Sequence, residues 1–165
     1  MLHDAIHLAE EGPVAIRYPK GTARQVGEHE VGVGLQARRL ERGDGALCVL
    51  AVGKLVGAAE KAVAQLAEAG IATTLWDVRS CAPLDPAMIA DAATHRAVLT
   101  VEDGIREGGI GMSIAAEVHA LRPTVPVEVL GVPTRFIPQA KADRILAGFG
   151  LDADGIVRAA RRLVG

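Results

Sequence analysis

The sequence predicts an α/β fold, a three-layer αβα sandwich around a five-stranded, mostly parallel sheet with an antiparallel first strand. Three observations carry that expectation. From Ala46 onward, short β-branched apolar runs alternate with stretches of helical period, in the order β-α-β-α-β-α-β-α. In the stretch Arg96 to Leu121, an apolar run (Ala97–Val101) ends in two carboxylates, Glu102 and Asp103. Glycines 104, 108, 109 and 111 follow, and Ile110, Ile114, Val118 and Leu121 then recur at helical spacing. Strand, acidic end, glycine turn and helix form the repeating unit of an open parallel sheet, whose ligands meet the carboxyl ends of the strands. Finally, Gly43-Asp44-Gly45 separates a mixed polar segment from the continuous apolar run Ala46–Val52. Asp-Gly is a strong hairpin signal, so the segment Gly34–Arg42 is expected as an antiparallel edge strand beside a central one.

The elements follow in chain order. Leu2 to Glu11 places Leu2, Ala5, Ile6 and Ala9 on one helical face, like the end of a longer helix, and Gly12-Pro13 breaks it. Val14 to Tyr18 (VAIRY) reads as a short strand closed by Pro19-Lys20-Gly21. Residues 1–21 are therefore expected to be the tail of another domain. Residues 22–33 are polar, lack an apolar period and read as a linker. Residues 34–165 form the main domain.

Within that domain, Val56, Ala59, Val63 and Leu66 line a helix that Gly70 ends. Ile71–Val78 is the next strand, and Asp85-Pro86 supplies the cap and first position of a helix to about Thr94. After the glycine turn and its helix, Arg122-Pro123 is a stop. Val125–Val132 is the last strand, Pro133–Gln139 a loop, and helices over Lys141–Ala147 and Gly155–Val164 close the chain.

Composition narrows the function. The chain has 165 residues, half of them hydrophobic, and a net charge of −2. That balance gives no reason to expect a nucleic-acid or membrane partner. No apolar run is long enough for a span and no signal pattern opens the chain, so a cytoplasmic location is expected. Cys48 lies inside an apolar strand and Cys81 far from it, which argues for free thiols. His3, His7, His29, His95 and His119 show no metal spacing, and no metal ligand set or catalytic residue is predicted.

The glycines 104–111 miss both common phosphate fingerprints, and Glu102 and Asp103 would repel an anion. They read as a packing turn. Arg79 ends a buried strand and points at the ligand edge, a surface salt bridge being the alternative. Arg17 stands among apolar neighbours in VAIRYPKG. Two arginines brought together would suit a phosphate bidentately. Gly43-Asp44-Gly45 is similar to the start of a thiamine-diphosphate motif, which needs a downstream Asn for Mg²⁺. The chain contains no Asn.

Several segments resemble the transketolase family, and within it the 1-deoxy-D-xylulose-5-phosphate synthases. GPVAIRYPKG (Gly12–Gly21) is similar to the end of their pyrimidine-binding domain. DVRSCAPLD (Asp77–Asp85), LTVEDG (Leu99–Gly104), EGGIG (Glu107–Gly111), GVPTRFIPQ (Gly131–Gln139) and GLDADGI (Gly150–Ile156) resemble their C-terminal domain. The middle motifs also occur in β subunits of 2-oxoacid dehydrogenases.

The resemblance implies a transferase that joins pyruvate to glyceraldehyde 3-phosphate with loss of CO₂, feeding isoprenoid and thiamine precursors. It also implies thiamine diphosphate and Mg²⁺, held by family domains that would precede Met1, so that no cofactor is expected on this chain alone. It places Arg17 and Arg79 on the substrate phosphate. It implies a partner, either a second copy or a chain supplying the N-terminal domains. Ser80-Cys81-Ala82 depart from the family, which usually has a bulky residue and a cation before Pro-Leu-Asp. Two other readings remain: a non-catalytic dimerisation or regulatory module, and the β-type component of another thiamine-diphosphate enzyme.

Overall fold

The computed structural model describes residues 2–18, 25–28 and 31–165. Its centre is β2 (Leu47–Ala51), buried at every position. A strand buried on both faces needs a layer on each side, and its side chains alternate between them. Leu47, Val49 and Ala51 pack with Leu55, Ala59, Ala62, Val63 and Leu66 beside α2 (Val56–Glu68), and with Ile156, Val157, Ala159 and Ala160 of α6 (Ala153–Val164). Cys48 and Leu50 face the other way. They meet Met88, Ile89, Ala92 and Ala93 of α3 (Pro86–Thr94), and Ile114 and Val118 of α4 (Ile110–Leu121).

The sheet has five strands in the order β1-β3-β2-β4-β5. β1 is Arg38–Glu41, β3 is Thr73–Asp77, β4 is Ala97–Ile105 and β5 is Val127–Val132. β2, β3, β4 and β5 are mutually parallel, and β1 runs antiparallel at the edge. The expected three-layer mixed-sheet sandwich is therefore the observed fold. α1 (Leu2–Leu8) precedes it, and α5 (Ala142–Gly148) leads into α6. Among the described residues no helix is long and apolar enough to cross a membrane.

Two local expectations are corrected. Gly43-Asp44-Gly45 does not close a hairpin between paired strands. β1 pairs with β3, through Arg38–Asp77 and Arg39–Trp76, and β2 lies beyond β3. The turn carries the chain past one strand instead. Asp44 Oδ1 accepts the Ala46 N–H at 2.9 Å, and Gly43 fits because a Cβ there would sit 2.6 Å from the Ala72 carbonyl. Residues 13–18 form no strand, since no neighbouring strand takes up their backbone groups. The expected closure at Pro19-Lys20-Gly21 and residues 22–24, 29 and 30 of the expected linker lie outside the described residues.

Caps set the helices that flank the carboxyl edge. Asp85 Oδ1 accepts the Ala87 N–H at 2.8 Å, as its place before Pro86 predicts, and its Oδ2 accepts Ala37 N–H at 2.8 Å. One carboxylate thus starts α3 and fixes the approach to β1. Glu102, buried in β4, turns its Oε1 to the Gly111 N–H at 2.8 Å and caps α4. The glycines let that happen. A Cβ on Gly111 would lie 2.5 Å from Thr100 Oγ1 and 2.7 Å from Val129 Cγ1. Thr100 Oγ1 is buried beneath that helix without a hydrogen-bond partner.

Glu107, on the surface of the same turn, clasps the loop that follows β5. Its Oε2 accepts from Thr134 N at 3.1 Å and Thr134 Oγ1 at 2.9 Å, and its Oε1 from Arg106 Nε at 2.8 Å. The hydrogen bonds from Arg106 first, then Thr134, hold its carboxyl down from an ordinary 4.5 to about 2.

Two predictions follow from this packing. Gly111→Ala should destabilise the domain by roughly 1–3 kcal/mol through overpacking. Thr100→Val should be neutral or stabilising, because it deletes an unpartnered buried hydroxyl. Urea unfolding checks both, and an Ala variant as stable as the parent would refute the close approach. For Glu107, a depressed folded value means the clasp is complete above about pH 4.5 and is lost as pH falls toward about 2. NMR titration should show the Thr134 amide shifting in that window and unresponsive in Glu107→Gln. A midpoint at the ordinary carboxylate value would show that no clasp forms in solution.

Candidate functional site

Parallel strands β2, β3, β4 and β5 end along one edge, where an α/β sheet presents its ligand surface. Arg79 stands there, two residues beyond β3. Its φ is +56°, the left-handed region, and it is the only described non-glycine residue with a positive φ. The Ser80 N–H reaches back to the Val78 carbonyl at 2.6 Å and closes a three-residue turn around it. Such backbone strain persists only where surrounding contacts over-determine it, and it gathers at functional sites.

The contacts are visible. Arg79 Nη1 donates to the Gln36 carbonyl, and Nη2 lies 3.5 Å from the Gly34 carbonyl. The guanidinium packs directly on Gly32, where a side chain would collide with it. Arg79 thus ties the segment before β1 to the end of β3, and the salt-bridge alternative is replaced by bonds to backbone carbonyls. Beside it, burial pushes the Asp77 carboxyl up from its ordinary 3.8, opposed by the Arg79 N–H and then by the Arg79 and Arg38 charges.

Arg17 lies elsewhere along the same edge. It lines a shallow cavity, largely open to solvent, between residues 103–105, at the end of β4, and the loop 132–137 after β5. No described carboxylate pairs with Arg17. Its charge reaches Cys81. There burial first, and Glu102 second, raise the thiol, while Arg17 pulls it down. The two expected arginines are therefore engaged differently, Arg17 on the cavity and Arg79, which does not line it, on the backbone of residues 32–36.

Sequence reasoning missed three lining residues. Arg135 and Thr134 follow the carboxyl end of β5, and Asp103 stands near the end of β4. The signal was present for Arg135, a cation just past a strand's carboxyl end, as for Arg79. Being in a loop of mixed composition hid it.

The glycine turn is not an open anion site. The Glu102 carboxylate already occupies the amino end of α4. Among the described residues one group of metal-type side chains also gathers, Cys48, Asp91 and His95, with ligand atoms within 4.8 Å of one another. Each is engaged in packing. Trp76 Nε1 donates to Asp91 Oδ2 at 2.8 Å, and Arg39 lies 3.6 Å from Asp91 Oδ1 and over the Trp76 ring. His95 Nδ1–H donates to the Asp91 carbonyl at 2.9 Å, which leaves Nε2 of the neutral ring to accept from Thr74 Oγ1 at 2.8 Å, and Thr74 Oγ1 itself accepts from Gly43 N at 2.9 Å. Burial, then the Asp91 charge, pushes the Cys48 thiol up, so it stays protonated. Cys48 and Cys81 are both free. Asp44 is equally committed, to the Ala46 N–H. With no Asn in the chain, the described residues do not fit a Mg²⁺–diphosphate centre.

Comparison with known proteins agrees with the fold and the motifs. The 1-deoxy-D-xylulose-5-phosphate synthase of Thermobifida fusca (strain YX) is 36% identical over 173 residues, covering 99% of this chain and 26% of the relative. That of Anaeromyxobacter dehalogenans (strain 2CP-C) is 40% identical over 180 residues, covering 100% and 27%. That of Escherichia coli O81 (strain ED1a) is 37% identical over 162 residues, covering 94% and 24%. The chain spans about a quarter of the length of these relatives. Among solved structures, a protein described as a split gene transketolase, inactive β4 tetramer, superposes with a TM-score of 0.75 at 26% identity, over 86% of this chain and 46% of that one. The family pattern of the transketolase C-terminal domain matches residues 36–156, from just before β1 into α6. The chain therefore belongs to the transketolase family through its C-terminal domain.

Proposed function

We propose that this chain serves as the C-terminal portion of a 1-deoxy-D-xylulose-5-phosphate synthase-like transferase, one that joins pyruvate to glyceraldehyde 3-phosphate with release of CO₂. The observation that carries the reading is Arg17. It is a cation without a carboxylate partner among the described residues, on a cavity at the carboxyl edge of a transketolase-type sheet. In this reading Arg17 and Arg79 hold the phosphate of the aldehyde substrate. A guanidinium presents five donors in a fixed fork, so Arg79 keeps donors over after reaching Gln36 and Gly34. Thiamine diphosphate and Mg²⁺ belong to other parts of the enzyme, and they supply the stabilised carbanion equivalent when bound. This chain contributes orientation: it fixes the phosphate end, and with it the direction in which the aldehyde carbon faces the reaction.

A second reading, a dimerisation module without catalysis of its own, is favoured by the apolar surface of residues 2–18. Leu2 and Ile6 in α1 are 71% and 65% exposed, and Tyr18 is 81% exposed. Where exposed apolar side chains form one contiguous patch, they mark a partner surface. The structural relative described as an inactive tetramer makes association without activity a concrete possibility for this chain. The partner is either a second copy or a chain supplying the remaining domains.

Two expected outcomes follow. When the remaining domains are supplied by co-expression or fusion, Arg17→Ala and Arg79→Ala should each lower kcat/KM for glyceraldehyde 3-phosphate by about ten- to a hundredfold, the loss of one charge-assisted contact. The pyruvate dependence should change little. Normal aldehyde kinetics in both variants would make the arginines structural and end the phosphate reading. Light scattering of the chain at about 10 μM, where associations of roughly −7 kcal/mol become visible, should show self-association that Ile6→Glu abolishes. A monomer at that concentration would remove the dimer reading.

A further inference from the structure

We propose that Met112 is a site of reversible oxidation by peroxide, and that its sulfoxide caps the start of α4 more strongly than the thioether does.

The position carries the first part of the argument. α4 begins at Ile110 with Gly109 as its N-cap, and Gly109 has no side chain to offer a free amide. Met112 is then the third helical residue, the place from which a Glu or Gln side chain reaches back over the helix start in a capping box. Met112 reaches back in the same way. Its Sδ accepts the Gly108 N–H at 3.1 Å, and no other acceptor among the described residues takes that N–H. Gly108 has a φ of +78°, in the left-handed region. A special turn residue is thus tied to the helix by a thioether, which is a weak acceptor.

Access and chemistry carry the second part. Met112 is 50% exposed, whereas Met88 in α3 is fully buried. A divalent sulfur has two lone pairs, so one hydrogen bond leaves a pair for an oxidant. That pair attacks one oxygen of hydrogen peroxide, the O–O bond breaks and an S–O bond forms. The departing hydroxide takes the proton from the transferred oxygen and leaves as water. Sulfur loses two electrons and peroxide gains them. The product is a polar, chiral side chain that methionine sulfoxide reductases can restore. Its oxygen accepts more strongly than sulfur and stands one bond further out, as the amide oxygen of a Gln at this position would. The oxidised side chain therefore does the work of a capping-box Gln on the Gly108 N–H.

Peroxide treatment of the chain, followed by peptide mapping and NMR, tests the proposal. Mass spectrometry should find one added oxygen on Met112 before any on Met88. In the oxidised chain the Gly108 amide proton should move downfield, and its exchange with solvent should slow about five- to tenfold, the effect of one stronger neutral hydrogen bond. Met112→Gln should show the slow exchange without oxidant. Met112→Leu should exchange faster than the parent and ignore peroxide. The Thr134 amide signal, kept in every form, shows that the neighbouring clasp is still folded. Methionine sulfoxide reductases should return the original Gly108 signal. Oxidation of Met88 as fast as Met112 would overturn the site. A Met112 sulfoxide with Gly108 exchange unchanged or faster would overturn the stronger cap.

Discussion

Everything in this domain follows from burying β2 on both faces. A strand with no exposed position cannot be an edge, and its alternating side chains demand two separate apolar layers. Parallel neighbours need crossovers, and the crossovers are the helices that form those layers. The strand order then has little freedom. The parallel strands all end on one side, so charged residues that must leave the core at their carboxyl ends converge there. Asp77 at the end of β3 and Arg79 beyond it, Glu102 and Asp103 in β4, and Arg135 after β5 sit at one edge because of that constraint.

The chain partitions opposite charges along that edge. The amino end of α4 would be an anion site if left open. Glu102 fills it, and Gly111 makes room by bringing the helix against Thr100 and Val129. One step further along, the turn supplies Glu107 to hold the β5–α5 loop. The same short segment therefore closes one anion site with its own carboxylate and fixes the neighbouring loop after β5. Order in the loop comes from Glu107, and closure of the helix end comes from Glu102.

Much of the architecture was legible in the sequence because it depends on periodicity. The continuous apolar run at β2, the helical spacing of α2 and α4, and the Asp85-Pro86 start of α3 all appear where pattern places them. Pairing was less legible. Asp44-Gly45 has the chemistry of a hairpin, but a turn's composition does not say whether the next strand lies beside the last or one place over. Here β3 takes the position between β1 and β2 and bonds to both. VAIRY has strand composition, yet a strand exists only when a neighbour takes its hydrogen bonds, and none does in the described structure.

The arginines show the same division between position and partnership. Sequence located Arg79 correctly at the end of a strand but could not say where its guanidinium goes. Residues 34 and 36 lie far from it in the chain, and their carbonyls become its partners only through the antiparallel placement of β1. Arg17 and Arg135 invert the case. Both are exposed, neither has a carboxylate partner among the described residues, and both line open space with Asp103. An arginine bound to backbone carbonyls is already committed to the fold. An exposed arginine, oriented by an aromatic ring or left without a carboxylate, is solvated by water and keeps its donors free of the fold.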